Sequence, residues 1–343
     1  MGDKSGINWT GATWNPVTGC DRCSEGCTNC YALTLAARLK AMGSANYQND
    51  GDPKTSGPGF GVTVHPHMLD VPLRWAKPRK IFVNSMSDLF HSEVPVEFIA
   101  QVFAVMSLCP QHTFQVLTKR SKRMVAVLTG PTFEAQVREW RQRIWADRPH
   151  TRRRPIPAWD GWPLRNVWAG VTLDTAKNRW RVDDLRKTPA AVRWISAEPL
   201  LTDVPNLDLD QIDWLVVGGE SGPHARPIHP AWVRRLRERA RTSRWCRSGC
   251  DSLEPGCDHY DCTCGGPHHT AFWFKQWGEH MPLPLDDWRK GDHIMLPSGA
   301  LCGPATLDDG ERAAAVTLRR VGASKAGHLI DGDVVQQFPE VRL

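Results

Sequence analysis

Four cysteines, Cys20, Cys23, Cys27 and Cys30, fall within eleven positions of the stretch GCDRCSEGCTNCYA, residues 19–32. Thiolates at that density bind metal. Structural zinc sites usually join two cysteine pairs across a long loop, so four ligands on one short loop are cramped for zinc. Bunched cysteines on a single loop are a common way to hold an iron–sulfur cluster, and that is the chemistry expected here. The spacing does not choose the first ligand: Cys23, Cys27 and Cys30 read C-x3-C-x2-C, while Cys20, Cys27 and Cys30 read C-x6-C-x2-C.

A second concentration follows in WCRSGCDSLEPGCDHYDCTCGGPHH, residues 245–269, with Cys246, Cys250, Cys257, Cys262, Cys264, His259, His268 and His269. A segment of about twenty residues cannot bury a core of its own. Metal coordination is the natural way to order it, and the admixed histidines favour zinc over a second iron–sulfur cluster. The expected ligands are Cys250, Cys257, Cys262 and Cys264, with a histidine as substitute, and Cys246 belongs to the body of the fold. Cys109 and Cys302 stand alone and read as small apolar residues.

Six short apolar runs are candidates for the framework that positions these sites: KIFVNSMSD (80–88), TFQVLTKR (113–120), NVWAGVTLD (166–174), VRWISAEPL (192–200), DWLVVGGESG (213–222) and AFWFKQWGE (271–279). Near-continuous apolar runs are typical of strands buried on both faces. Helix-like segments follow four of them, at 95–110, 121–130, 175–188 and 229–243, and this alternation predicts an α/β fold with a parallel sheet, a barrel or an open doubly wound one. In either, the C-terminal ends of the strands face the active site. Those ends carry Asp88, Lys119 and Arg120, Asp174, Glu198, Glu220 and Lys275. Lys119 and Arg120 suit a carboxylate or a substrate phosphate. Lys119, Asp88 and Glu198 are the expected catalytic groups. Gly218 and Gly219 would let a ligand approach the backbone beside Glu220 as acceptor, with Asn84, Ser85 and Ser196 adding polar contacts.

The wider context of the cysteines carries a resemblance. INWTGATWNPVTGC, GCTNCYA, FVNSMSDLF, LTKR, WAGVTLD, ISAEPLL, VVGGESG, ARPIHPAWVRRLR and FWFKQWG together resemble the phage-type three-cysteine-motif family, distantly related to radical S-adenosylmethionine enzymes, over about residues 7–280. The resemblance implies a radical-SAM-like partial (β/α) barrel with parallel strands. It implies a 4Fe-4S cluster on Cys20, Cys27 and Cys30, with Cys23 as the alternative ligand, although the C-x3-C-x2-C reading is itself the spacing of radical S-adenosylmethionine enzymes. It implies S-adenosylmethionine on the open iron, with Gly218, Gly219, Glu220, Asn84 and Ser196 as cofactor contacts, and cleavage to a 5′-deoxyadenosyl radical. Asn29 departs from that pattern, since many radical enzymes place an aromatic residue there, and Tyr31 follows the last cysteine instead. Family members usually join the basic helix to the FWFKQWG strand with few residues, so 246–269 reads as a Cys-rich insertion.

At 343 residues the chain is long enough for one large domain or two ordinary ones. The expected division is 1–285 for the barrel domain, insertion included, and 286–343 for a small β-rich C-terminal appendage. No run approaches eighteen consecutive apolar residues and no apolar leader opens the sequence, so the expectation is a cytoplasmic protein with no membrane role, in the host cytoplasm if phage-encoded. The formal charge of +6 argues only weakly for a polyanionic partner. Its distribution says more: VREWRQRIWADRPHTRRRP, residues 137–155, interleaves Arg138, Arg141, Arg143, Arg148, Arg152, Arg153 and Arg154 with Trp140 and Trp145. That pattern grips phosphates and stacks bases, or else makes a solvated helix face. The expected activity is modification or repair of a nucleic acid or nucleotide, centred on Arg152, Arg153 and Arg154 for binding. The alternatives are a radical enzyme acting on a peptide or protein partner, and a non-catalytic nucleic-acid-binding protein with structural metal sites.

Overall fold

Each of the six apolar runs folds as a strand, and three short strands precede them. The computed structural model describes residues 5–147, 155–243 and 269–339. In chain order the elements are β1 Ala12–Trp14, β2 Val17–Thr18, α1 Tyr31–Ala41, β3 Thr63–Val64, β4 Lys80–Val83, α2 Val96–Ser107, β5 Thr113–Thr118, α3 Ser121–Leu128, α4 Phe133–Ala146, β6 Val167–Thr172, α5 Trp180–Lys187, β7 Val192–Ala197, β8 Trp214–Gly218, α6 Pro230–Thr242 and β9 Ala271–Gln276. The main sheet has seven strands in the order β1-β4-β5-β6-β7-β8-β9. The pairs β1 with β4, β4 with β5, β5 with β6, β7 with β8 and β8 with β9 are parallel.

The composition of the strands explains this arrangement. Every residue of β6 (VWAGVT) and of β8 (WLVVG) is buried, as a strand covered on both faces requires. One helix among them, α6, begins where a proline and a capping side chain place it. Pro230 opens α6, whose first turn is capped by His229, with Nδ1 accepting from the Ala231 N–H at 3.1 Å. β1 is too short to show a period, and its place is fixed by register: Ala12, Thr13 and Trp14 stand beside Ile81, Phe82 and Val83. The Trp14 indole N–H donates to the Met68 carbonyl at 2.8 Å.

The chain divides into two compact units, Met1–Thr172 with Arg181–Arg193, and Leu173–Trp180 with Trp194–Arg342. The first holds β1 to β6 and the cysteine loop. The second holds β8, β9 and α6, and continues into β10 His280–Leu283, β11 His293–Met295, β12 Leu301–Cys302 and β13 Val316–Arg320. These four form an antiparallel sheet in the order β10-β13-β11-β12, with Ile294, Leu307 and Ala315 in a small apolar core. Further on, the chain returns to β9: the Phe274 N–H donates to the Val335 carbonyl at 2.8 Å, and the Gln337 N–H to the Phe272 carbonyl at 3.0 Å. Phe338 packs on Trp273 and Trp214 with ring centroids 4.7 and 5.4 Å away. Cys246, Cys250, Cys257, Cys262 and Cys264 lie outside the described residues, as do Arg148, Arg152, Arg153 and Arg154.

Candidate cluster site and the strand-end residues

The cysteine loop is pinned to the ends of the neighbouring strands before it turns into α1. Gly19 forms a parallel bridge with Ser87, and its N–H donates to the Met86 carbonyl at 3.0 Å. Its φ is +86°, and a Cβ there would lie 2.2 Å from the Gly61 carbonyl oxygen, so only glycine fits. The Cys20 N–H donates to the Phe60 carbonyl at 3.3 Å and the Arg22 N–H to the Thr55 carbonyl at 2.9 Å. A single 3₁₀ turn, Glu25–Cys27, follows, and Cys30 is the N-cap of α1, its N–H donating to the Cys27 carbonyl at 3.3 Å.

The side chains of the expected ligands share one neighbourhood. Cys20 and Cys30 pack against the same apolar cluster of Ala32, Ala36, Phe60 and Met86. Cys27 is buried, with its sulfur 3.7 Å from the Ser24 hydroxyl. A hydrogen bond from Cys23 lowers the Cys27 pKa first, and the charge of Lys119 adds to it, so Cys27 is the thiolate of the pair. The same bond pushes the Cys23 pKa up. Burial pushes the Cys20 thiol up to about 12, the Asp88 carboxylate adds to the rise, and Arg120 opposes it. The charge of Cys27 adds a smaller rise to Cys20.

Arg120 joins this loop to the strand ends. Its Nη1 lies 3.3 Å from Cys20 Sγ and 3.3 Å from Asp88 Oδ2, and its Nη2 donates to the Asp21 carbonyl at 3.2 Å. Asp88, buried, also accepts from the Thr118 hydroxyl at 2.7 Å, the Phe90 N–H at 3.0 Å and the Lys119 N–H at 3.1 Å. Asp21 accepts from Thr55 Oγ1 at 2.6 Å and stands 3.0 Å from His91 Nε2. Asp21, His91 and Glu93 bring one ligand atom each within 4.8 Å of one another. His91 Nδ1 accepts the Glu93 N–H at 3.3 Å, which leaves Nε2 as the donor to Asp21, so both ring nitrogens are spent on hydrogen bonds. Among the described residues no three cysteines converge in this way. One tetrahedral ion would need them to, whereas a cluster spreads its ligands over separate irons.

The NSMSD turn after β4 closes over the loop. The Tyr31 hydroxyl donates to the Ser85 carbonyl at 2.5 Å, and Asn15 Oδ1 accepts from Ser85 Oγ at 3.2 Å and the Met86 N–H at 3.1 Å. Asn84 has φ +61° and is buried, with neither its amide oxygen nor its amide nitrogen hydrogen-bonded.

In the second unit, Lys275 Nζ lies 2.9 Å from Glu198 Oε1. A Cβ on Gly218 would meet that same carboxylate oxygen at 2.8 Å, and one on Gly219 would meet the Trp277 carbonyl oxygen at 2.1 Å. Both glycines therefore have an internal reason to be glycine. Glu220, buried, accepts from the Arg226 N–H and Nε at 2.8 Å each and from Nη2 at 2.6 Å. The Ser196 carbonyl accepts the Leu173 N–H at 2.9 Å, and Ser196 is buried.

Residues 4–246 match the family described as a protein of unknown function, DUF5131. The chain belongs to the DUF5131 family. No curated protein matches it, and no solved structure does.

In this DUF5131 chain Asp88 and Arg120, two of the strand-end charges, organise the loop around Cys20. The described arginines of 137–155 are also engaged internally. Arg141 is buried and donates from Nη2 to the Pro157 carbonyl and, at 3.2 Å, to that of Ala158. Arg138 and Arg141 lie over the Trp159 ring at 5.3 and 5.7 Å, while Arg143 lies over Trp140 and pairs with Glu139. The partnership of Asp21 with His91 gave no sequence signal, because it joins two loops seventy positions apart.

Proposed function

We propose that this DUF5131 chain is an iron–sulfur protein resembling radical S-adenosylmethionine enzymes, with Cys20, Cys27 and Cys30 as the ligands of a 4Fe-4S cluster. The observation that carries the reading is the donor set: Cys20 and Cys30 on one apolar cluster, with buried Cys27 held beside Cys30 by the hydrogen bond from the Cys30 N–H to its carbonyl. The Arg120 guanidinium, 3.3 Å from Cys20 Sγ, favours an anionic cluster there. When bound, a reduced cluster and S-adenosylmethionine would supply a 5′-deoxyadenosyl radical that takes a hydrogen atom from a substrate. The unpartnered amide of buried Asn84 supports a polar cofactor in the first unit, because such a group is satisfied in nearly every folded protein. The chain's own part is to hold the ligand thiolates, shield them with Phe60 and Met86, and keep water from the reacting atoms.

The partial-barrel relation to radical enzymes, cofactor contacts at Gly218, Gly219, Glu220 and Ser196, zinc on Cys250, Cys257, Cys262 and Cys264, and a cytoplasmic setting belong to the same reading. Its substrate is a nucleic acid or nucleotide, with Arg152, Arg153 and Arg154 as the phosphate contacts.

Anaerobic reconstitution tests the reading. Wild type is expected to be brown, with iron and sulfide in a 4:4 ratio, and dithionite with S-adenosylmethionine is expected to release 5′-deoxyadenosine. Cys20→Ala, Cys27→Ala and Cys30→Ala are each expected to lose the iron, while Cys23→Ala keeps it. A colourless protein containing only zinc would sink the enzyme reading.

A further inference from the structure

We propose that Arg120 is a positioning residue that raises the reduction potential of the cluster through its hydrogen bond to Cys20, opposed by the negative charge of the Asp88 carboxylate beside it, while the Asp21 carbonyl holds the guanidinium. This rests on the iron–sulfur reading above.

The geometry is specific. The single Nη1 of Arg120 stands 3.3 Å from Cys20 Sγ and from Asp88 Oδ2, and Nη2 is tied to the Asp21 carbonyl at 3.2 Å. The backbone on which it sits is fixed as well, because the Arg120 N–H donates to Thr118 Oγ1 at 2.8 Å and Thr118 Oγ1 donates to Asp88 Oδ1 at 2.7 Å. A planar guanidinium suits this forked task, and an ammonium cannot reach both sulfur and carbonyl with the same orientation. The Arg120 side chain is only 17 % exposed and that of Asp88 6 %, so their charges act in a poorly screened setting.

An iron–sulfur cluster gains one negative charge on one-electron reduction. Cationic charge and N–H donors at its cysteine sulfurs favour the reduced form, since they stabilise the extra electron more than they stabilise the oxidised state. Arg120 therefore raises the potential, and Asp88, a buried carboxylate on the same network, lowers it. The two substitutions should move the potential in opposite directions. A residue that merely held the loop together would not give opposite signs.

The experiment is a dithionite titration of anaerobically reconstituted full-length protein, followed by EPR, with iron and sulfide measured on every sample. Arg120→Gln is expected to keep its iron and sulfide and to shift the midpoint to more negative values. Arg120→Lys is expected to shift it in the same direction by less, since the charge is kept and the bond to Cys20 is lost. Asp88→Asn is expected to shift it to more positive values. If Arg120→Gln fails to hold the cluster, the signs of the Lys and Asn variants decide the matter. Full cluster content with an unchanged midpoint in the Arg120 variants overturns the proposal, as does a negative shift or no shift in Asp88→Asn. A wild type without iron and sulfide overturns the cluster reading itself, a result distinct from either of these.

Discussion

Gly19 shows how closely a single residue can govern the cysteine loop. It combines a left-handed backbone with a Cβ position 2.2 Å from the Gly61 carbonyl oxygen, immediately before Cys20. Gly19→Ala adds local backbone strain of about 1–3 kcal/mol, and the clash adds to it because the opposing atom is backbone and cannot rotate away. The expected outcome is a loss of about 3 kcal/mol in denaturant unfolding together with poor retention of iron; a variant as stable as wild type would show that the loop can re-route. The sequence makes the cysteines plain, but the role of this glycine is hidden, because it depends on a contact with a residue forty-two positions away. Arg120 is similar. The stretch LTKR shows a cation at a strand end, yet only the fold reveals that it turns to Cys20.

Among the elements, the six apolar strands were legible because both faces are buried and no solvent-facing alternation interrupts them. β1 and α1 were not. β1 has three residues, and α1 carries a weakly apolar face with only Ala32 and Ala36 buried, so neither supplies a period to read. In α4, Arg141 ties the helix to the segment around Pro157 and Ala158, a role that the alternation of arginine and tryptophan does not reveal. Arg141→Ala leaves those carbonyls without their donor and is expected to cost about 2 kcal/mol in a denaturant midpoint. Arg143→Ala, at an exposed i,i+4 pair with Glu139, is expected to cost no more than about 0.5 kcal/mol. Equal effects of the two substitutions would contradict this division of labour.

At the scale of the whole molecule, buried histidines set the response to acid. His65, His112, His229 and His280 all have their pKa lowered, in each case first by burial. The folded state therefore binds protons less readily than the unfolded chain, whose histidines titrate near 6.5. Stability from this source is fully present above about 6.5 and falls as pH drops below it, because the unfolded state takes up more protons there. Asp21, Asp292 and Asp331 are lowered too, the last two by Arg319 and Arg234, but they act only as pH falls below about 4. A melting temperature a few degrees lower at pH 5.5 than at pH 7.5 is the expected result; a flat profile over that window would exclude the histidines. No helix among the described residues is long and apolar enough to cross a membrane. The arginines of α6 illustrate how charge is used at this scale: Arg234 pairs with Asp331, Arg235 with Asp203 and Arg239 with the Leu207 carbonyl.

The return of residues 335–338 to β9 has a consequence for how the molecule behaves in a crowded solution. β9 is the last strand of the main sheet, and a parallel edge left bare is a template on which another chain can add a strand. Here the edge amides of Phe274 and the carbonyl of Phe272 are already taken by the chain itself, and Phe338 lies on the two tryptophans behind them. The fold thus carries its own insulation at the point where self-assembly would otherwise begin.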